Sequence, residues 1–251
     1  MPRPVLVLDL DGTVCLGDDP VREYARLVEA GAPHAAGLVD ALEEFLRDPD
    51  ARPDLRVAQD GYQAVQLLGD GLDPGVLDEA YHRSRAGLHA DLRGLHAPVG
   101  LGRLLDELDV HAVLVTNAPG DGLPAVLDHL GLGDRLDEVR TDAGKPSGMR
   151  RALADLLDGQ GIGATPGHLM SVGDIWRNDL APALELGCAT AYVDTYGRRQ
   201  GPAHVWARTL PELYPSLRAW AADPAEFGRS HPLPPAPMAV GATPERPGTV
   251  T

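Results

Sequence analysis

An α/β fold, with a parallel sheet covered by helices on both faces, is predicted by two features of the chain. Short, nearly continuous apolar runs stop at polar or glycine residues, as strands buried on both faces do. Helical patterns alternate with these runs, the order that builds parallel sheets. A third feature, a long helical stretch without strands after the first run, predicts an inserted second unit.

The first run covers residues 4–10 and leads into Asp11 and Gly12; the others cover 110–116, 168–173 and 188–193. Helical patterns lie between them at 101–108, 123–130, 149–157 and 179–186. A length of 251 residues suits one α/β domain with a smaller insertion. The expected division is a catalytic core at 1–14 and 98–222 and a helical cap at 15–97, with helices near 21–30, 38–46, 58–68 and 76–88. Residues 223–251 hold seven prolines and few large apolar side chains, so they are expected to form a disordered tail. The PxxP spacing of Pro234 to Pro237 is common in such composition and is read as linker.

Apolar residues make up 43% of the chain, but only two are Phe, so the core must rest on Leu, Val and Ala. The 22 basic and 37 acidic residues give a net charge of -15, which opposes nucleic acid and anionic membrane surfaces as partners. No stretch approaches the ~20 apolar residues of a membrane helix, and the N-terminus lacks a signal-peptide layout, so a cytoplasmic location is expected. Cys15 and Cys188 form neither a disulfide framework nor a CxxC pair and are read as packed, reduced thiols.

Four segments carry chemistry. Asp9 and Asp11, in Asp-Leu-Asp-Gly-Thr13, start on the same side of a strand because side chains alternate. A calcium loop is excluded there, since Gly12 is fourth rather than sixth from Asp9. Thr116 and Asn117 end the second strand pattern, where ligands bind in doubly wound sheets. Lys145 precedes Pro146 in the loop that enters a helix. Asp174, Asn178 and Asp179 cluster after the 168–173 run and suggest a cation; helix capping would account for Asn178 and Asp179 but not for Asp174.

Taken together and in this order, Asp9-x-Asp11-Gly-Thr13, Thr116-Asn117, Lys145-Pro146 and Gly173-Asp174-x-x-x-Asn178-Asp179 resemble the signature of the haloacid dehalogenase-like hydrolase superfamily. The resemblance implies a Rossmann-like core, a cap inserted after the first motif, and a phosphatase of small phosphate monoesters such as phosphoglycolate, a sugar phosphate or a nucleotide. It assigns Asp9 as nucleophile and Asp11 as general acid and base. Thr116, Asn117 and Lys145 would bind the phosphoryl group. Mg²⁺ would be held by Asp9, Asp174 and the Asp11 carbonyl, with Asp179 behind them. Relatives that dehalogenate carbon lack an acid two residues after the nucleophile, so Asp11 favours phosphate. Relatives often have a small residue after the second-site acid, where this chain has Ile175-Trp-Arg177.

Other functions weighed are a phosphomutase or phosphotransferase of the same superfamily, a non-catalytic phosphate-binding relative, and a receiver-type signalling domain. The last fits poorly, because it leaves the Asp174 cluster without a role. His82, His89 and His96 recur every seven residues, about 10.5 Å apart on a helix, too far to share a metal ion. Arg83 and Arg85 could reach a second anionic group of a substrate, but solvated arginines are the expectation. Cys15 is expected to pack near the cap hinge.

Overall fold

Alternation along the first strand, β1 (Val5–Leu8), divides its side chains between two cores. Leu6 and Leu8 join one hydrophobic cluster, and Val5 and Val7 join another on the opposite face. All four are buried, and burial of each such side chain contributes roughly 1.5–3 kcal/mol. The computed structural model describes residues 2–87 and 92–234.

β1 pairs in parallel with β2 (His111–Val115) on one side and β4 (Leu169–Gly173) on the other. β3 (Glu138–Arg140) extends the β2 edge; β5 (Ala189–Val193) and β6 (Val205–Ala207) extend the β4 edge. The sheet has six parallel strands in the order β3-β2-β1-β4-β5-β6, so β1 is central. The direction of chain changes between β1 and β4, which opens a crevice beyond the carboxyl ends of the strands. Four of the strands coincide with the apolar runs. β3 and β6 were not expected, since three-residue, partly exposed edge strands carry no such run.

The helices sort by face. Leu101 and Leu104 of α5 (Leu101–Glu107), Leu123 and Leu127 of α6 (Leu123–His129), and Leu213 and Trp220 of α9 (Leu210–Ala222) pack with Leu6 and Leu8. Met149, Leu153 and Leu156 of α7 (Ser147–Gly159), with Ala183 of α8 (Ala181–Glu185), cover Val5 and Val7.

Among the described residues four α-helices stand between β1 and α5: α1 (Asp19–Gly31), α2 (Leu38–Arg47), α3 (Gly61–Leu68) and α4 (Pro74–Ala86). They share a separate cluster around Val21, Tyr24, Leu42, Phe45 and Val65. Several contacts tie this insertion to the core, among them two sets at residues 49–59. Arg198 Nη2 donates to the Pro49 carbonyl at 3.0 Å and its Nη1 pairs with Asp50 at 2.9 Å. Gln59 Oε1 accepts from the Trp176 amide at 2.9 Å and from the Tyr192 hydroxyl at 3.1 Å.

The expectation of a disordered tail from Asp223 fails at its start. The Asp223 carboxylate accepts from the Glu226 amide and caps α10 (Pro224–Ser230). Phe227 on this helix is 2% exposed, within the main core. Proline content concealed one well-placed aromatic anchor and a proline suited to a first helical turn. Residues 235–251, including most of the PxxP match, lie outside the described residues.

Candidate active site

Four segments end at the same crevice. β1 delivers Asp9 and, just beyond, Asp11; β2 delivers Thr116; the loop before α7 delivers Lys145; β4 delivers Asp174. All five line one pocket, together with Asn117, Asn178 and Asp179. The position of Asp9 is fixed by its amide, which continues the ladder to Val172 O at 3.0 Å.

Lys145 is the electrostatic centre. Its ammonium lies 2.6 Å from Asp9 Oδ1 and 2.7 Å from Asp179 Oδ1, and its side chain is 2% exposed. Burial pulls the ammonium down, but the charges and hydrogen bonds of Asp179 and Asp9 outweigh burial and raise it, so it stays protonated. Asn117 contributes indirectly as well: its side-chain oxygen accepts the Lys145 amide at 2.7 Å and fixes the loop. Thr116 is buried, and its hydroxyl oxygen accepts the Ala118 amide at 3.0 Å while retaining a proton to donate.

The acids are crowded. Burial raises the Asp9 carboxyl, Lys145 offsets only part of this, and Asp179 and Asp11 push it further, to about 7. Asp174 is held well above the ordinary carboxylate range by burial and then by the charges of Asp9, Asp60 and Asp179. One lysine cannot balance this group, so the site calls for another cation.

The donor set fits a hard divalent ion. Asp9, Asp174 and Asp179 each place a carboxylate oxygen within 4.8 Å of the others. Among the described residues Asp174 Oδ1, which is buried, has no hydrogen-bond partner, whereas both oxygens of Asp179 are taken, by Lys145 and by the Ile175 amide at 3.2 Å. Asp174 thus offers an unmet oxygen beside Asp9, the pair that would hold a divalent ion, while Asp179 is bound to Lys145. Gly12, with φ at +74°, is needed here, because a Cβ would collide with the Asp174 carboxylate.

The Ile175-Trp176-Arg177 departure is accommodated by a single π turn, Trp176–Leu180, a feature frequent at functional sites. The turn brings Asp179 back under Ile175, and Trp176 Nε1 donates to Pro202 O at 2.9 Å.

The insertion supplies the opposite wall with Gln59, Asp60, Tyr62, Tyr81 and Arg85. None but Arg85 was picked out in the sequence, and Arg85 was expected to be solvated. Arg83 is solvated, beside Glu79. Arg85 is buried and its guanidinium donates to Asp11 Oδ2. Asp60 caps α3 by accepting the Gln63 amide at 2.7 Å, and burial pushes it up to about 6 despite that bond. Its only signal in the sequence was that of an N-cap. His82 Nδ1 donates to the Asp78 carbonyl at 2.8 Å, His96 is exposed, and His89 lies outside the described residues. Cys15 and Cys188 are buried free thiols.

The chain has the haloacid dehalogenase-like hydrolase fold. A haloacid dehalogenase-like family hydrolase of Xanthomonas campestris superposes with a TM-score of 0.55 at 18% identity, covering 91% of this chain and 95% of that one. A Bacillus subtilis protein described as a HAD-hydrolase, solved bound to magnesium, gives 0.55 at 18% identity over 86% and 99%. A 2-haloacid dehalogenase of Pseudomonas syringae gives 0.51 at 19% over 87% and 99%. At these identities the similarity establishes the fold. The chain matches no protein-family model and no curated protein. No helix among the described residues is long and apolar enough to cross a membrane.

Proposed function

We propose that the protein is a Mg²⁺-dependent phosphatase that hydrolyses a small phosphate monoester through an aspartyl-phosphate on Asp9. The observation that carries this reading is the convergence of Asp9, Asp11, Thr116, Lys145 and Asp174 on one pocket, with an unpartnered oxygen on Asp174.

Asp9 attacks phosphorus and the ester oxygen leaves with a proton from Asp11. Asp11 then takes a proton from the water that attacks the same phosphorus, which frees Asp9. Lys145 neutralises charge on Asp9 and on the phosphoryl oxygens, and Thr116 donates to one of them. Mg²⁺, held by Asp9, Asp174 and the Asp11 carbonyl, would supply the charge that lets an anionic nucleophile meet an anionic phosphate.

Carbon–halogen hydrolysis is the second reading, favoured by the likeness to a 2-haloacid dehalogenase. Asp11 argues against it, because displacing a halide needs no proton on the leaving group. The test is hydrolysis of an aryl phosphate and of a panel of phosphometabolites with Mg²⁺, set against a 2-haloacid. Activity on phosphate esters that is lost in Asp9→Asn is expected. A pure, folded preparation inactive on every ester, or an Asp9→Asn protein with full activity, overturns the reading.

A further inference from the structure

Beyond its contact with Asp11, Arg85 has no role in the phosphoryl chemistry proposed above, yet burying a guanidinium is costly unless its donors are met. Arg85 lies near the end of α4 and is 4% exposed. Its Nη2 meets Asp11, and its guanidinium carbon lies 4.8 Å from the Tyr62 ring centroid and 5.5 Å from that of Tyr81. Among the described residues its buried Nε has no hydrogen-bond partner, and the hydroxyl of Tyr62, the ring beneath it, has none either. Both side chains line the pocket, so two adjacent residues there each carry a polar group that the described residues leave unmet.

We propose that Arg85 and Tyr62 form a subsite for a carboxylate on the leaving group of the substrate, and that the protein prefers small phosphate monoesters that carry one. The inference rests on the phosphatase reading. Arg85 presents a planar fork suited to a carboxylate, and Asp11 already shows one seated on it. A second phosphate fits less well: the subsite has a single positive charge, and Asp60, Asp70 and Asp78 on the same wall would repel a dianion. Arg85 touches Asp11, the acid proposed to protonate the leaving oxygen, so an anionic group bound at Arg85 would belong to the leaving group.

The test uses the full-length protein with Mg²⁺ and two pairs of esters matched in skeleton, 2-phosphoglycolate with 2-hydroxyethyl phosphate and 3-phosphoglycerate with glycerol 3-phosphate. The wild type should favour the carboxylate in at least one pair by ~10-fold to ~100-fold in kcat/KM, the range of a hydrogen bond to a charged group. Arg85→Gln should bring that ratio to within about threefold of unity and Arg85→Lys should retain part of it, as bidentate geometry is lost but charge is kept. Tyr62→Phe should lower the ratio several-fold, and it carries the test should Arg85→Gln fail to fold. A wild type with no preference in either pair overturns the inference. So does an Arg85→Gln protein in which both members of a pair slow together, since that is what a purely structural tie between insertion and core would give. Inactivity on these four esters and on aryl phosphate would instead remove the phosphatase reading itself.

Discussion

Asp9→Asn removes one negative charge while keeping the shape of a side chain that is 13% exposed and flanked by Lys145 at 2.6 Å. Burial raises this carboxyl from 3.8 to about 7. At about 1.36 kcal/mol per tenfold change in acidity, this sets on the order of 4 kcal/mol against the ionised form in the folded chain. Below about pH 4 both folded and unfolded chains hold the proton, and the shift has no effect. From there to about 7 the unfolded chain gives it up while the folded chain keeps it, so stability falls as pH rises, and the loss is complete above 7. Asparagine has no such dependence. In metal-free buffer the variant should therefore gain on the wild type as pH rises from 5 to 8, while losing at least ~10³-fold in phosphatase turnover, as removal of a nucleophile does. Urea denaturation in chelator at several pH values measures the first effect, and release of an aryl alcohol with Mg²⁺ measures the second. A stability difference that stays flat across this range, or turnover within tenfold of wild type, would refute the assignment of Asp9 as a nucleophile whose ionised form the site disfavours.

Lys145→Met keeps the apolar stem but leaves Asp9 and Asp179 uncompensated. A loss of about 3–5 kcal/mol in stability and at least ~100-fold in kcat is expected, and a loss under 1 kcal/mol in denaturation would contradict the central role of the lysine. Mg²⁺ at a hundredfold excess over its Kd should stabilise by about 2.7 kcal/mol. Its affinity, by calorimetry, should be weaker at pH 5 than at pH 8, because Asp9 and Asp174 must lose protons to bind it; affinity independent of pH would count against these ligands. Phe227→Ala should destabilise by about 3–5 kcal/mol if α10 belongs to the core; a shift below 1 kcal/mol in urea would return this segment to the tail.

The strands were legible because β1, β2, β4 and β5 are covered on both faces, and such burial demands an unbroken apolar run. β3 and β6 lie at the edges, where Val139 and Trp206 face solvent, and no run marks them. The helix around Phe227 was hidden for a related reason: composition averages over a segment, whereas burial there depends on one side chain meeting a core built by residues far away in the chain.

The same contrast runs through the site. Asp9, Thr116 and Asp174 each stand at or just beyond the end of a buried strand, and local pattern is enough to place such residues, since parallel strands bring their carboxyl ends to one edge. The sequence by itself thus determined the four inner strands of the sheet and which polar residues stand at their carboxyl ends. The partners that complete the pocket come from helices whose local pattern is the same whether a residue faces water or the crevice. Arg83 and Arg85 differ by two positions, yet one is solvated and the other is buried against Asp11, 74 residues away. Only the packing of the insertion over the core decided which of them enters the site, because a helix presents different faces at positions two apart and tertiary contact alone selects the face that is covered.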